Sequence, residues 1–408
     1  MFLFPINRVP DEMNHARMTW ETFHKPTENS FKWMDEIPSN DKVKPKEYKQ
    51  LLARKIEMKN EPFKVGISLK TISFLPQLIG MTIGSWISPS VGMIIYMGRI
   101  FNALAYILGL YFLIRYFKYG KTALMFISLL PIMVQQASSL SYDVMNYLEV
   151  MLAIGFITNL AYSKRFTNRN FVQVIGLAIL LLATKPNNIL LLGLIPFVSF
   201  EFKGVLKVLN RPFESLKIIV SRYKFVFYLL LLITIGFILQ FLMRNEGGLV
   251  HYIHVLLNTL VNARQNGDLN SILTIGVFGY LGNFTLQLPL WLIFIDIAVL
   301  VLIFLANEKD FFSKDFSIFA AWLFPIQVLA TVTVMYLQWT PIVLGHGASV
   351  SVGSQGRYFT PFLILFLPLV ANLGNFEISQ NKVLKISTIT LLVNFLISIF
   401  LIIPFYWM

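Results

Sequence analysis

The sequence contains no cysteine among its 408 residues. Disulfide bonds, a thiolate nucleophile and cysteine-ligated metal sites are therefore excluded. Charged residues are also scarce, at 13% of the chain. The sequence lacks a G-x-x-x-x-G-K loop, an H-E-x-x-H helix and a serine-histidine-acid arrangement, so nothing in it supports ATP hydrolysis or zinc proteolysis.

Hydrophobic residues make up 56% of the chain, and phenylalanine alone contributes 37 residues. Several apolar runs are long enough to cross a hydrocarbon core of roughly 30 Å. The sequence therefore predicts an all-α polytopic membrane protein in contact with the lipid bilayer. The net charge of +13 does not indicate a nucleic-acid partner, because the basic residues lie mostly in short loops between apolar runs, as membrane topology requires.

We predict about ten transmembrane helices from the apolar runs. Their approximate bounds are 91 to 117, 121 to 138, 142 to 162, 171 to 184, 186 to 200, 225 to 243, 289 to 306, 316 to 337, 357 to 373 and 383 to 405.

Five regions follow from this assignment. They are an extracytoplasmic loop with an acidic motif (1 to 65), an interfacial or re-entrant helix (66 to 90), an N-terminal transmembrane core (91 to 243), a second extracytoplasmic loop (244 to 288) and the C-terminal transmembrane helices (289 to 408).

Most basic residues beyond residue 65 fall in alternate loops, which the positive-inside rule assigns to the cytoplasm. The others are predicted on the outer side or in the outer half of the membrane. Such residues either snorkel to the interface or bind an anionic group such as a lipid phosphate. They are Lys70, Arg99, Lys185, Arg244, Arg264 and Arg357.

The same rule places residues 1 to 65 outside, although no apolar helix precedes them to lead them across. The opening MFLFPIN is too short for a signal peptide. Either the topology is inverted or a first transmembrane helix is missing from the chain. We favour the missing helix, since inversion would put every basic loop on the wrong side.

The first candidate site is P-D-E-M-N-H at residues 10 to 15. Proline followed by two acids is an ordinary helix start. On a helix, however, Asp11 and His15 share a face and can hold a metal ion, a phosphate or a proton relay.

Three further candidates lie at predicted outer turns. Asp143 enters an apolar helix with Asn146 and Tyr147 on its face, or simply forms the first turn of a capped helix. Lys185 interrupts a long apolar stretch and offers a point charge to a phosphate. Arg357 follows Gly353 and Gly356 in V-G-S-Q-G-R-Y-F-T-P. It either binds phosphate oxygens or anchors the chain at the membrane interface. The neighbouring candidates are Gln355 and Tyr358.

Taken in order, five motifs resemble the bacterial domain-of-unknown-function family 2142, whose multi-spanning envelope proteins are placed near the GT-C membrane glycosyltransferases. The motifs are P-D-E-M-N-H at 10 to 15, A-S-S-L-S-Y-D at 137 to 143, T-K-P-N at 184 to 187, G-V-F-G-Y-L-G at 276 to 282 and Q-G-R-Y-F-T-P at 355 to 361.

The resemblance implies a GT-C-like helical bundle in the bacterial cytoplasmic membrane, with an outward-facing active site. It further implies a polyprenyl-phosphate sugar donor and an envelope polysaccharide or teichoic-acid-like acceptor. The first outer loop of such enzymes carries an acid that acts as base or metal ligand, which Asp11 and Glu12 match, and Asp143 matches a second acid by position. The resemblance leaves open whether these three acids hold a divalent cation, Mg²⁺ or Mn²⁺, as a cofactor.

In the mechanism that this resemblance implies, the acids deprotonate the acceptor hydroxyl and the anomeric centre inverts. The donor and its lipid phosphate are bound by the remaining candidates, which are His15, Arg99, Lys185, Gln355, Arg357 and Tyr358.

Two other functions remain as alternatives. Glu149 and Asp296 lie well inside predicted spans, where acids often relay protons or ions. They support a transporter or flippase of a lipid-linked saccharide, although we find no internal repeat of the kind that transporters show. A non-catalytic envelope assembly factor is the third possibility.

Overall fold

The computed structural model describes residues 3–23, 37, 42–56, 66–262, 272–273, 275–373 and 378–408. Arg264, one of the basic residues singled out above, lies outside these described residues.

The described chain is built almost entirely from helices. The α-helices are α1 (Glu12–Trp20), α2 (Pro45–Ala53), α3 (Leu75–Ile87), α4 (Val91–Tyr116), α5 (Lys121–Ser128), α6 (Pro131–Ala137), α7 (Asp143–Ser163), α8 (Asn168–Thr184), α9 (Asn210–Arg222), α10 (Lys224–Leu242), α11 (Gly248–Leu260), α12 (Ile275–Phe278), α13 (Leu290–Leu305), α14 (Lys314–Gln338), α15 (Thr340–Leu344), α16 (Leu367–Ala371) and α17 (Gln380–Trp407).

Short 3₁₀ helices and two small sheets complete the chain. The 3₁₀ helices are Leu69–Phe74, Pro186–Phe197, Gly204–Leu209, Arg244–Glu246, Gly356–Tyr358 and Thr360–Phe366. The strands β1 (Arg165–Phe166) and β2 (Glu201–Phe202) pair in parallel, and β3 (Tyr280–Leu281) and β4 (Leu286–Gln287) pair antiparallel.

The prediction of an all-α polytopic membrane protein is confirmed. Within the described residues, five helices are long and apolar enough to cross a membrane. These are α4, α7, α10, α14 and α17. Five further apolar segments are shorter: Asn168–Thr184, Pro186–Phe197, Gly248–Leu260, Leu290–Leu305 and Thr360–Ala371.

Two predicted spans are not single helices, and proline is the reason in both. The segment 121 to 138 breaks at Leu130, whose backbone is extended before Pro131 begins α6. The segment 357 to 373 is divided into 3₁₀ turns and the short α16, with Pro361 and Pro368 each near the start of a piece. Proline lacks the N–H group that a continuous helix needs, and its ring disfavours a helical residue before it.

The predicted interfacial region 66 to 90 contains α3, which packs closely against α4. Helix α3 has 13 residues, about 20 Å at 1.5 Å per residue, and is too short to cross a bilayer. Gly80 and Gly84 form a G-x-x-x-G pair on its inner face. A β-carbon at Gly80 would meet the Met97 carbonyl oxygen and would lie 2.8 Å from the Cα of Gly98. The two helices therefore touch through their backbones.

The basic loops gather at one end of the bundle. The Tyr119 hydroxyl donates to the Glu308 carbonyl (2.9 Å), and its ring stacks on Phe311. Strand pairing joins the loop after α7 to the segment before α9 through Arg165 and Glu201. We call this the basic end. Helix α7 runs from it to the opposite end, where Asp143 lies.

The N-terminal segment covers that opposite end. Ile6, Ala16 and Trp20 are buried against Met81, Ile94 and Leu140 in a small apolar core separate from the main one. This core fixes α1 over the ends of α3 and α4.

Candidate functional site

Asp11 stands at the N-terminus of α1 in a left-handed conformation, with φ of 62°. Aspartate tolerates this region better than most residues, and such conformations cluster at functional sites. Its Oδ2 accepts hydrogen bonds from Arg357 Nη2 (2.7 Å) and Gln355 Nε2 (3.2 Å). No described residue donates to Oδ1, and the side chain is 34% exposed. Asp11 therefore offers one carboxylate oxygen to a ligand.

Asp143, at the first residue of α7, faces Asp11 across the Arg357 guanidinium. Its Oδ1 accepts from Lys185 Nζ (2.8 Å) and its Oδ2 from Arg357 Nε (3.0 Å). Asp143 is almost fully buried. We call Asp11, Asp143, Lys185 and Arg357 the four-charge cluster. Its two negative and two positive charges balance, so that the free-energy cost of burying each charge is offset by attraction to a partner.

Aromatic rings enclose the cluster. Lys185 Nζ lies 3.6 Å from the centroid of the Tyr358 ring, which provides a cation–π contact. Tyr142 packs against the His15 ring, with centroids 4.3 Å apart. Tyr142 was not among the residues predicted for the site, although its position directly before Asp143 in the sequence could have indicated it.

Two titratable groups of α1 are shifted by these surroundings. Burial raises the pKa of the Asp11 carboxyl, but attraction to Arg357 and His15 outweighs it, so the net shift is downward. Burial lowers the pKa of the His15 imidazole to about 4, in spite of the opposing pull of Asp11 and Asp143. At neutral pH the site therefore holds an ionised Asp11 and a neutral His15.

Several buried polar atoms around the cluster have no hydrogen-bond partner among the described residues. They are His15 Nδ1, Arg357 Nη1, the Tyr147 hydroxyl, Ser354 Oγ and Gln355 Oε1. Buried polar groups are nearly always paired in folded proteins. Beside the four-charge cluster these atoms are hydrogen-bonding groups that a polar ligand can use.

Glu12 and Arg99 form a separate buried pair beside the cluster. Arg99 donates through Nε and Nη2 to the two Glu12 carboxylate oxygens, each at 2.6 Å. The backbone N–H groups of Leu140 and Asn7 complete the coordination of the carboxylate. Neither side chain is exposed. Both oxygens of Glu12 are thus occupied, in contrast to those of Asp11.

A shared metal site for Asp11, Glu12 and Asp143 is not assembled in the described part of the chain. No group of three or more His, Asp or Glu side chains there is placed to hold a metal ion. Ion pairing keeps these carboxylates from sharing a metal ion, since Glu12 is bound by Arg99 while Asp143 is bound by Lys185 and Arg357.

The five sequence motifs converge on this end of the molecule. Asp11, Asp143, Lys185 and Arg357 come from four of them and are linked by three direct ion pairs. The fifth, at 276 to 282, supports the segment after Arg357, since the Thr360 hydroxyl donates to the Val277 carbonyl oxygen at 2.7 Å.

Glu149 and Asp296 lie outside the cluster, on α7 and α13. Glu149 Oε2 accepts from the Thr184 hydroxyl (2.5 Å), and Asp296 Oδ1 accepts from Asn394 Nδ2 (2.6 Å). The other oxygen of each carboxyl is buried without a partner among the described residues.

A family model described as a predicted membrane protein (DUF2142) matches residues 2–366. No curated protein and no solved structure matches the chain.

Proposed function

Since the chain belongs to the DUF2142 family of predicted membrane proteins, we propose that this multi-pass membrane protein is a GT-C-type inverting glycosyltransferase. It transfers a sugar from a polyprenyl-phosphate donor to an envelope polysaccharide or teichoic-acid-like acceptor on the outer face of the bacterial cytoplasmic membrane.

One observation carries this proposal. At the end of the bundle opposite the basic loops, the four-charge cluster holds an ionised carboxylate with one available oxygen, that of Asp11. Asp11 contacts Arg357, and Asp143 joins Arg357 to a second cation, Lys185. A base beside cations is what transfer from a phosphate-linked sugar requires, because a proton leaves the nucleophile while negative charge builds on the phosphate.

In the proposed reaction, Asp11 Oδ1 accepts the proton of the acceptor hydroxyl. The acceptor oxygen forms a bond to the anomeric carbon as the bond from that carbon to the phosphate oxygen breaks. Attack opposite the leaving group inverts the anomeric configuration. The lowered pKa of Asp11 keeps the carboxylate deprotonated at neutral pH and ready for this role.

The leaving polyprenyl phosphate is bound by Arg357 and Lys185. Arg357 Nη1, which is buried without a partner among the described residues, is the donor available to a phosphate oxygen. Lys185 adds a second positive charge, and Tyr358 positions its ammonium group. His15 and the Tyr147 hydroxyl remain available to sugar hydroxyls.

Glu12 and Arg99 position this machinery and do not react in the proposal. Their pair links α1 to α4 and leaves neither charge free for substrate. Removing one partner of such a buried pair typically costs about 3–5 kcal/mol of stability. A variant at Glu12 would therefore confound folding with catalysis, so the activity test should change Asp11 alone.

The test compares envelope glycans by mass spectrometry in a bacterial strain that lacks its own copy of the gene. The strain is complemented with the unaltered chain, with Asp11→Asn or with Asp310→Asn. Asp310 is a matched control, since it also has positive φ (55°) but lies in an exposed loop at the basic end. We expect Asp11→Asn to lose one sugar substituent, with a rate decrease of about 10²-fold or more.

A glycan pattern that is the same for Asp11→Asn and the unaltered chain, at equal membrane abundance, would contradict the role of Asp11 as base. Loss of the substituent in the Asp310→Asn strain as well would show that the change reflects folding and not chemistry.

Transport of a lipid-linked saccharide is the second candidate, and the half-paired buried acids Glu149 and Asp296 favour it. A transferase releases free polyprenyl phosphate from its donor, whereas a flippase leaves the donor intact. Purified protein in liposomes with a labelled donor distinguishes the two. Movement of intact donor that depends on Glu149 or Asp296, without release of polyprenyl phosphate, would favour transport.

A further inference from the structure

Helix α9 (Asn210–Arg222) at the basic end has two chemically distinct faces. Phe213, Leu216 and Val220 recur at helical spacing on one side, while Arg211 and Arg222 lie on the other. No residue of α9 is buried. Among the described residues, its apolar face is partly covered at Phe213, whose ring packs against those of Phe200 and Phe202, and at the half-buried Val220.

Between these two residues the apolar side of α9 is open. Leu216 is 57% exposed and Ile219 is 55% exposed. In water, a helix with this pattern would bury these residues against the protein. An exposed apolar side that is bordered by cations is typical of a helix lying in a membrane interface.

The position of α9 in the chain supports the same reading. Only Tyr223 separates it from α10, a candidate membrane span with no buried residue in the described structure. On the other side of α9, the preceding segment is joined to the basic end through β2, which pairs with β1. Helix α9 is therefore held at the level where α10 enters the bilayer.

The charge of the segment indicates which lipids it meets. Residues 201 to 224 carry six basic side chains and two acidic ones. One of the acids, Glu201, is already paired with Lys203. The positive-inside rule accounts for basic residues in a loop, but it does not require them to border an exposed apolar helix face.

We propose that α9 is an interfacial helix that binds anionic lipid headgroups at the basic end of the bundle. Leu216, Ile219 and Val220 enter the boundary between headgroups and acyl chains, while Arg211, Lys217 and Arg222 contact the lipid phosphates. This inference is independent of the proposed transferase activity.

The absence of cysteine allows a direct test in the full chain, because each introduced cysteine is the only one. Leu216→Cys on the apolar face and Ser221→Cys on the polar face are labelled separately with a fluorophore. Quenching by brominated lipids is then measured in vesicles of phosphatidylcholine, with or without phosphatidylglycerol. Phe237→Cys, on the 73% exposed Phe237 of α10, verifies reconstitution.

We expect quenching at Leu216→Cys in vesicles with phosphatidylglycerol to exceed that at Ser221→Cys severalfold, and to decrease in pure phosphatidylcholine. Arg211→Gln, Lys217→Gln and Arg222→Gln together should remove this lipid dependence, since each basic residue near an anionic surface strengthens binding by about fivefold. Phe237→Cys should be quenched equally in both lipids.

Two results would overturn the inference. One is strong quenching of Phe237→Cys while Leu216→Cys stays unquenched, which would place α9 away from the bilayer or under a protein partner. The other is quenching of Leu216→Cys that does not change with phosphatidylglycerol, which would leave an interfacial helix without headgroup recognition.

Discussion

At the residue scale, the clearest contrast is between two neighbouring acids. Asp11 and Glu12 are adjacent, yet one keeps an accessible oxygen and the other is enclosed by four donors. The difference arises from the left-handed backbone of Asp11, which begins α1 and turns the two side chains toward different arginines. Asp11 meets Arg357, and Glu12 meets Arg99.

His15 should make the protein less stable in mild acid. Its pKa of about 4 in the folded chain lies below its ordinary value of 6.5, so the unfolded chain binds the proton first. The free energy of unfolding therefore decreases as pH falls from 6.5 to 4, by up to about 3 kcal/mol. Thermal unfolding in detergent at a series of pH values measures this decrease.

The control for this prediction is His15→Gln, which removes the titrating group and keeps a polar side chain. Its melting temperature should depend less on pH between 6.5 and 4. Asp11 and Glu246, whose pKa values are also lowered, contribute mainly at more acidic pH. Parallel melting curves for the two proteins across this range would contradict the assignment.

At the element scale, long spans were predicted well and interrupted ones poorly. The predicted bounds of α4, α7, α10 and α14 agree with the structure to within about two residues. Each has a clear start signal or an unbroken apolar run. Ser90, for example, caps α4 by accepting from the Met93 N–H. The segments 121 to 138 and 357 to 373 were instead merged into single helices, because hydropathy does not register a lost backbone donor. Proline does not always break a span, since α14 continues through Pro325.

The contact between α3 and α4 should not tolerate a side chain at Gly80. A leucine there would press against the backbone of Met97 and Gly98. We expect Gly80→Leu to destabilise the protein by about 3 kcal/mol, near the upper end of the range for overpacking. Thermal unfolding of the purified variant in detergent measures the loss.

Gly176→Leu is the matched control for this change. Gly176 also lies in an apolar helix, α8, but no heavy atom comes within 4 Å of a β-carbon built there. It should melt at or slightly above the temperature of the unaltered chain. Equal destabilisation of both variants would show that the cost arises from glycine replacement in general and not from helix contact.

At the scale of the whole molecule, the polar N-terminal segment is joined to the membrane helices at several distant points. Trp407 Nε1 donates to the Leu3 carbonyl oxygen (2.7 Å), and the Val43 N–H donates to the Tyr406 carbonyl oxygen (2.8 Å). Together with the ion pair of Asp11 and Arg357, these contacts close one end of the bundle.

The separation of the basic end from the site end predicts the orientation of the protein. Ser349, exposed in the loop after α15, belongs to the site end, while Ser163, exposed at the end of α7, belongs to the basic end. In intact cells, a membrane-impermeant maleimide should label Ser349→Cys. It should label Ser163→Cys only after the membrane is permeabilised. Labelling of Ser163→Cys alone in intact cells would mean that the topology is inverted.

The sequence by itself determined the apolar spans and the alternation of their basic loops, because hydropathy and charge are properties of each segment alone. It also singled out Asp11, Asp143, Lys185 and Arg357 as unusual at their positions. Only the tertiary structure decided which acid pairs with which base. Those pairs join residues as far as 87 and 346 positions apart, and no local pattern specifies which of two adjacent carboxylates reaches which arginine.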